Sequence, residues 1–95
     1  MQSDISKLKY VQVPTIVLFD ENISSTTKLL MGLVITLSLK NGFCYASNKY
    51  LSNILKVSKR TITRCVNYLT TKGYIKVQND ENSRKIYIVK NFYTP

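Results

Sequence analysis

The sequence predicts an α+β domain that is mostly helical: three helices, then a C-terminal β-hairpin, with a short strand near the N-terminus. Three observations predict it. Apolar residues recur at helical spacing in three segments between residues 25 and 73, each preceded by a serine able to open a helix. After residue 73, two segments alternate with period two around a polar run at 79–83. The chain has 95 residues, 44% hydrophobic and 20% charged, which is one domain's worth of ordinary globular sequence with a modest core.

Residues 1–20 read as an N-terminal arm. Within it, Tyr10 to Phe19 (YVQVPTIVLF) is rich in β-branched and aromatic residues, but Pro14 cannot donate to a central ladder. A short edge strand followed by an apolar turn is expected. Residues 25–40 form the scaffold helix: Ser24 or Ser25 can accept from its free amides, and the helical pattern from Thr26 to Lys40 ends at Asn41-Gly42. Leu29, Leu30, Met31, Leu33, Val34, Ile35, Leu37 and Leu39 cover most of its circumference, leaving a polar stripe at Lys28, Gly32, Thr36 and Lys40. Such a helix needs more than one neighbour, and its surplus apolar face, with the Tyr10–Phe19 segment, predicts a homodimer.

Phe43-Cys44-Tyr45 is a short strand candidate. Ser47 then caps a helix of about two turns containing Tyr50, Leu51, Ile54 and Leu55. Lys56-Val57 forms a tight turn, Ser58 caps again, and Ile62, Cys65, Val66 and Leu69 recur at i, i+3, i+4 and i+7 before Gly73 stops the helix. Tyr74–Gln78 and Arg84–Val89 are the alternating strands of the hairpin. Residues 47–73 are thus a helix-turn-helix and 74–90 a wing: a winged helix-turn-helix in one domain spanning 1–95.

Fourteen Lys and Arg against five Asp and Glu give a formal charge of +9 and a pI near 9.7, which points to an anionic partner. Nucleic acid comes first and an anionic membrane surface second. The charge is unevenly spread: residues 1–45 carry four cations against three carboxylates, residues 46–95 ten against two, so the binding surface belongs to the second half. With no His, a Ser-His-Asp triad and a His-containing zinc site are excluded. The carboxylates Asp4, Asp20, Glu21, Asp80 and Glu81 do not form a cluster for catalytic Mg²⁺, and two cysteines make neither a four-thiolate site nor a disulfide framework. The expectation is a protein that is not an enzyme, with no catalytic residues, no metal and no cofactor, in a reducing cytoplasm. The apolar run Leu29–Leu39 is far shorter than the roughly 20 residues of a membrane span, and Met1–Tyr10 lacks the apolar run of a secretory signal.

On a helical wheel Arg60, Arg64, Asn67 and Thr71 lie opposite the Ile62, Cys65, Val66, Leu69 stripe, flanked by Thr63 on one side and Tyr68 on the other. Arg can pair with both guanine acceptors, Asn with adenine, and Thr offers a methyl to thymine, so this face can read major-groove edges. The bland alternative is a solvated basic face; the preceding short helix, tight turn and following hairpin favour the groove. Ser47 and Ser58 open helices whose amides can hold phosphate, although capping alone explains both. Lys49, Lys59, Arg84 and Lys85 are the remaining cations expected to face the backbone, while Asp80 and Glu81 at the wing tip repel it. Cys65 reads as a small core hydrophobe, and Tyr50, Tyr74 and Tyr87 as packing rather than base-stacking residues.

From Tyr45 to Ile75 the text resembles the winged helix-turn-helix at the N-termini of replication initiators and related proteins from plasmids and phages of low-GC bacteria. The likeness, carried by a Val-Ser-x-Arg-Thr-Ile opening and a later Gly-Tyr-Ile, extends upstream through VPTIVLFDENISSTTKLL. Where such domains place Gly in the turn, this chain has Lys56, which must either adopt a left-handed conformation or alter the turn. By resemblance, Ser58, Lys59, Arg60, Thr61 and Arg64 occupy DNA-contacting positions. The sequence lacks the further domain with which an initiator recruits replication proteins, so the resemblance implies either the N-terminal part of a longer initiator or a small independent regulator. The function expected is sequence-specific binding of double-stranded DNA at an origin, with replication proteins as further candidate partners. The alternatives are a transcriptional regulator of a mobile element, or a protein-interaction winged helix of a helicase-loading or primosome component.

Overall fold

Serine side chains start each long helix, as their sequence positions predict. The computed structural model describes residues 10–81 and 83–89. Its helices are α1 (Thr15–Leu18), α2 (Ser25–Ser38), α3 (Asn48–Leu55) and α4 (Lys59–Thr71), followed by strands β1 (Ile75–Asp80) and β2 (Ser83–Ile88). Ser24, Ser47 and Ser58 are the N-caps of α2, α3 and α4, accepting from the amides of Thr27, Tyr50 and Thr61 at 3.1, 3.0 and 3.1 Å. The core collects Leu30, Met31, Val34 and Leu37 of α2, Leu51 of α3, Ile62, Val66 and Leu69 of α4, and Ile75 and Ile86 of the hairpin.

The expected edge strand at Tyr10–Phe19 does not form. Residues 10–14 pair with no strand among the described residues, and Thr15–Leu18 make one helical turn in which the Pro14 carbonyl accepts from the amides of Val17 and Leu18. Pro14, at φ −58°, can precede a helix without losing a needed donor, and the turn buries Val17 completely. The arm covers one part of α2, with Val11 and Val13 packed against the core. A Cβ on Gly32 would lie 3.0 Å from Val13 Cγ2 and 3.2 Å from the Gln12 carbonyl oxygen, so the expected polar stripe of α2 is in part the seat of the arm. Leu29 and Leu39 remain exposed.

Lys56 resolves the turn between α3 and α4. It stands at φ 60°, ψ 40°, the one left-handed non-glycine among the described residues. A left-handed lysine costs about 1–2 kcal/mol, part of which a glycine gives back as chain entropy. Lys56→Gly is therefore expected to stabilise the domain by about 0.5–1 kcal/mol in thermal unfolding, and Lys56→Ala to give no such gain.

The hairpin is antiparallel, pairing Ile75 with Ile88, Val77 with Ile86 and Asn79 with Arg84. Its strands reach further toward the tip than the sequence pattern indicates, to Asp80 and Ser83. The Phe43–Tyr45 strand candidate reduces to one bridge, in which Cys44 and Ile86 exchange backbone hydrogen bonds at 2.9 and 2.7 Å. Cys65 is buried and accepts from the Thr27 hydroxyl at 3.2 Å, joining α4 to α2.

Asp20 fastens the loop after α1 to the far end of α4. Its Oδ2 accepts from the Tyr74 hydroxyl at 2.7 Å and lies 3.4 Å from Lys72 Nζ, while its Oδ1 accepts from the Asn22 amide at 2.9 Å. The Tyr74 and Asn22 hydrogen bonds hold the Asp20 carboxyl below its ordinary range, and the same bond pushes Tyr74 up to about 12. The Asp20 contribution is complete above the ordinary carboxylate pKa of about 3.9 and is lost as pH falls through the lowered value; the Tyr74 contribution is complete below about 10 and is lost as pH rises toward 12. Asp20→Asn is expected to make the melting temperature less sensitive to acid below about pH 4. An unchanged acid limb would show that this contact does not set it.

Candidate nucleic-acid interface

On α4 the apolar stripe faces inward and the opposite face stands clear. Ile62, Cys65, Val66 and Leu69 are buried, while Lys59, Arg60, Arg64 and Asn67 are exposed. Among the described residues the exposed side chains of Lys49, Lys59, Arg60, Arg64 and Asn67 have no hydrogen-bond or ion-pair partner. Among the described residues the carboxylates that form ion pairs are elsewhere: Asp20 with Lys72, and Asp80 with Lys85 at 3.8 Å. Two exposed guanidiniums beside an exposed amide are suited to base edges and phosphates.

Other expected residues are brought to the same region but already hold intramolecular bonds. Ser47 and Ser58 are occupied as caps, and the Thr61 hydroxyl lies 3.0 Å from Ser58 Oγ. The Thr63 hydroxyl donates to the Lys59 carbonyl at 3.1 Å and accepts from Asn48 Nδ2 at 3.0 Å.

Arg84 and Lys85, both expected to face the backbone, are sent to opposite faces by the period of two of their strand. Arg84 shares the inner face with Ile86; its guanidinium donates to Asn48 Oδ1 at 2.7 Å and to the Ala46 carbonyl at 2.8 Å. Burial lowers its pKa. Lys85 shares the outer face with Tyr87 and sits over the Phe43 ring, 5.1 Å from its centroid. The Phe43 and Tyr87 rings are 5.7 Å apart, so Tyr87 packs as expected.

Between α4 and the wing lies a cleft of ≈ 260 Å³ lined by Asn48, Thr63, Asn67, Asn79 and Arg84 among others. Asn48 is the residue sequence reasoning missed. Its two partners are 15 and 36 positions away, a relation no local pattern carries.

Comparison with known proteins agrees with this architecture. The family of helix-turn-helix domains matches residues 21–75, more than half of the chain. A solved Rep–DNA complex contains a chain with a TM-score of 0.69 and 21% identity, the match covering 95% of this chain and 82% of that one. A solved N-terminal domain of a DNA-binding protein gives 0.65 and 21%, covering 94% and 80%. At that identity the likeness is one of fold, and it bears out the winged arrangement. The comparison with curated proteins returns no match.

Proposed function

The chain belongs to the helix-turn-helix domain family, a DNA-binding fold, and from that membership we propose that it is a non-enzymatic, cytoplasmic module that reads repeated double-stranded sites at a plasmid or phage replication origin. The carrying observation is the exposed face of α4, where Arg60, Arg64 and Asn67 have no partner among the described residues, on a helix whose other face is locked in the core. The concentration of positive charge in residues 46–95 supplies a backbone-binding surface around it. The two solved neighbours, a Rep–DNA complex and an N-terminal domain of a DNA-binding protein, support the same reading.

Selection of bound duplexes from a random pool tests it. An enriched motif occurring as repeats in an origin supports initiation, and one in a promoter supports a transcriptional regulator. No enriched motif at all overturns sequence reading and leaves the protein-interaction alternative.

The partner in that role is a second copy of the chain. Ile16, Leu18, Phe19 and Leu29 are exposed apolar side chains in the nearly neutral half of the sequence, an apolar surface that self-pairing would bury. Sedimentation at micromolar concentration is expected to give a dimer; a strict monomer both free and on DNA would contradict the pairing.

A further inference from the structure

The side chain of Asn48 joins three elements, α3, α4 and β2. Arg84 has donors and no acceptor, so the amide oxygen of Asn48 must face it and the amide nitrogen must face Thr63. The Thr63 hydroxyl then spends its proton on the Lys59 carbonyl in the first turn of α4. The result is a directed chain of hydrogen bonds from strand β2, through the start of α3, into α4, the helix that carries the basic face and is here called the recognition helix. Its far end is anchored by the second Arg84 bond, to the Ala46 carbonyl. Among the described residues no carboxylate takes part, and the half-buried guanidinium is held by two neutral acceptors whose placement matches its fork.

We propose that Asn48 is a positioning residue for DNA readout: with Arg84 it fixes the wing against the recognition helix, so sequence discrimination depends on an amide that need not touch a base. The proposal rests on the DNA-binding reading and adds to it a residue outside the basic face. A helix held in a groove from one side only can tilt, and base contacts lose more from a small tilt than phosphate contacts do. Loss of the Asn48 amide therefore weakens recognition of the right sequence more than attraction to any duplex.

The experiment compares Asn48→Ala, Arg84→Lys and the double variant on a duplex selected by the wild-type protein and on a scrambled one, each below that variant's own unfolding temperature. Asn48→Ala is expected to lower affinity for the selected duplex about tenfold and for the scrambled one by less than about twofold, with an unchanged salt slope. Arg84→Lys keeps the charge but replaces the rigid two-nitrogen fork that spans Ala46 and Asn48 with a single nitrogen, so it is expected to show the same loss, and the double variant to be little worse than either. Three outcomes overturn the proposal. Wild-type discrimination in Arg84→Lys would make that residue a simple phosphate cation. Equal weakening on both duplexes by Asn48→Ala would make Asn48 a backbone contact. Additive losses would mean that the two residues act separately. A wild-type protein that prefers no duplex would instead overturn the reading on which the proposal rests.

Discussion

Alanine at Arg64 is expected to cost about 1–3 kcal/mol of affinity for the selected site and to flatten the preference among sequences, with a comparable loss at Arg60. Both side chains stand on the outward face of α4 with no partner among the described residues, so removing them leaves the fold as it was. A positioned guanidinium can bind two acceptors of one guanine, and its loss acts on that base pair rather than on all duplexes. Replacement of Lys49 is the control: an exposed cation at the start of α3, it should weaken selected and random duplex by similar factors and make the salt slope shallower. Wild-type affinity in both arginine variants would remove α4 from the interface.

Leu69→Ala is expected to destabilise the domain by about 2–5 kcal/mol, a large share of the roughly 5–15 kcal/mol typical of a folded protein. Leu69 is fully buried at the last turn of α4, and its carbonyl accepts from the Tyr74 amide at 3.0 Å where Gly73, at φ 82°, turns the chain into the wing. The cavity would lie where helix and hairpin join. Chemical denaturation measures the loss. DNA binding by this variant should fall with the folded fraction and be restored at low temperature, unlike that of the arginine variants. A cost below about 1 kcal/mol would mean that the core can collapse around the gap.

The parts of the fold legible in the sequence are those set by local chemistry. Ser24, Ser47 and Ser58 cap their helices because a hydroxyl and an amide three residues on meet whatever the tertiary context. The stripe Ile62, Cys65, Val66, Leu69 is buried because its spacing matches the helical period. Lys56 takes one of the two courses open to it, the left-handed one. The parts that were not legible depend on distant partners. The β-rich arm becomes a helical turn because Val17 is buried and Val13 sits on Gly32, and neither contact shows in strand propensity. Arg84 looks like any exposed cation until the hairpin register turns it inward to Asn48. Charge counting cannot separate it from Lys85, which lies on the other face.

A salt titration of the wild-type protein on its selected duplex and on a scrambled one tests the central claim, that α4 reads sequence while the surrounding cations hold the backbone. If two subunits neutralise roughly 6–10 phosphates, raising salt from about 50 to 200 mM should weaken binding by about 10³ to 10⁵. The selected duplex should keep its advantage throughout, because base contacts release few counterions. Equal affinity for both duplexes at every salt concentration would contradict the claim and reduce the basic half to a general polyanion surface.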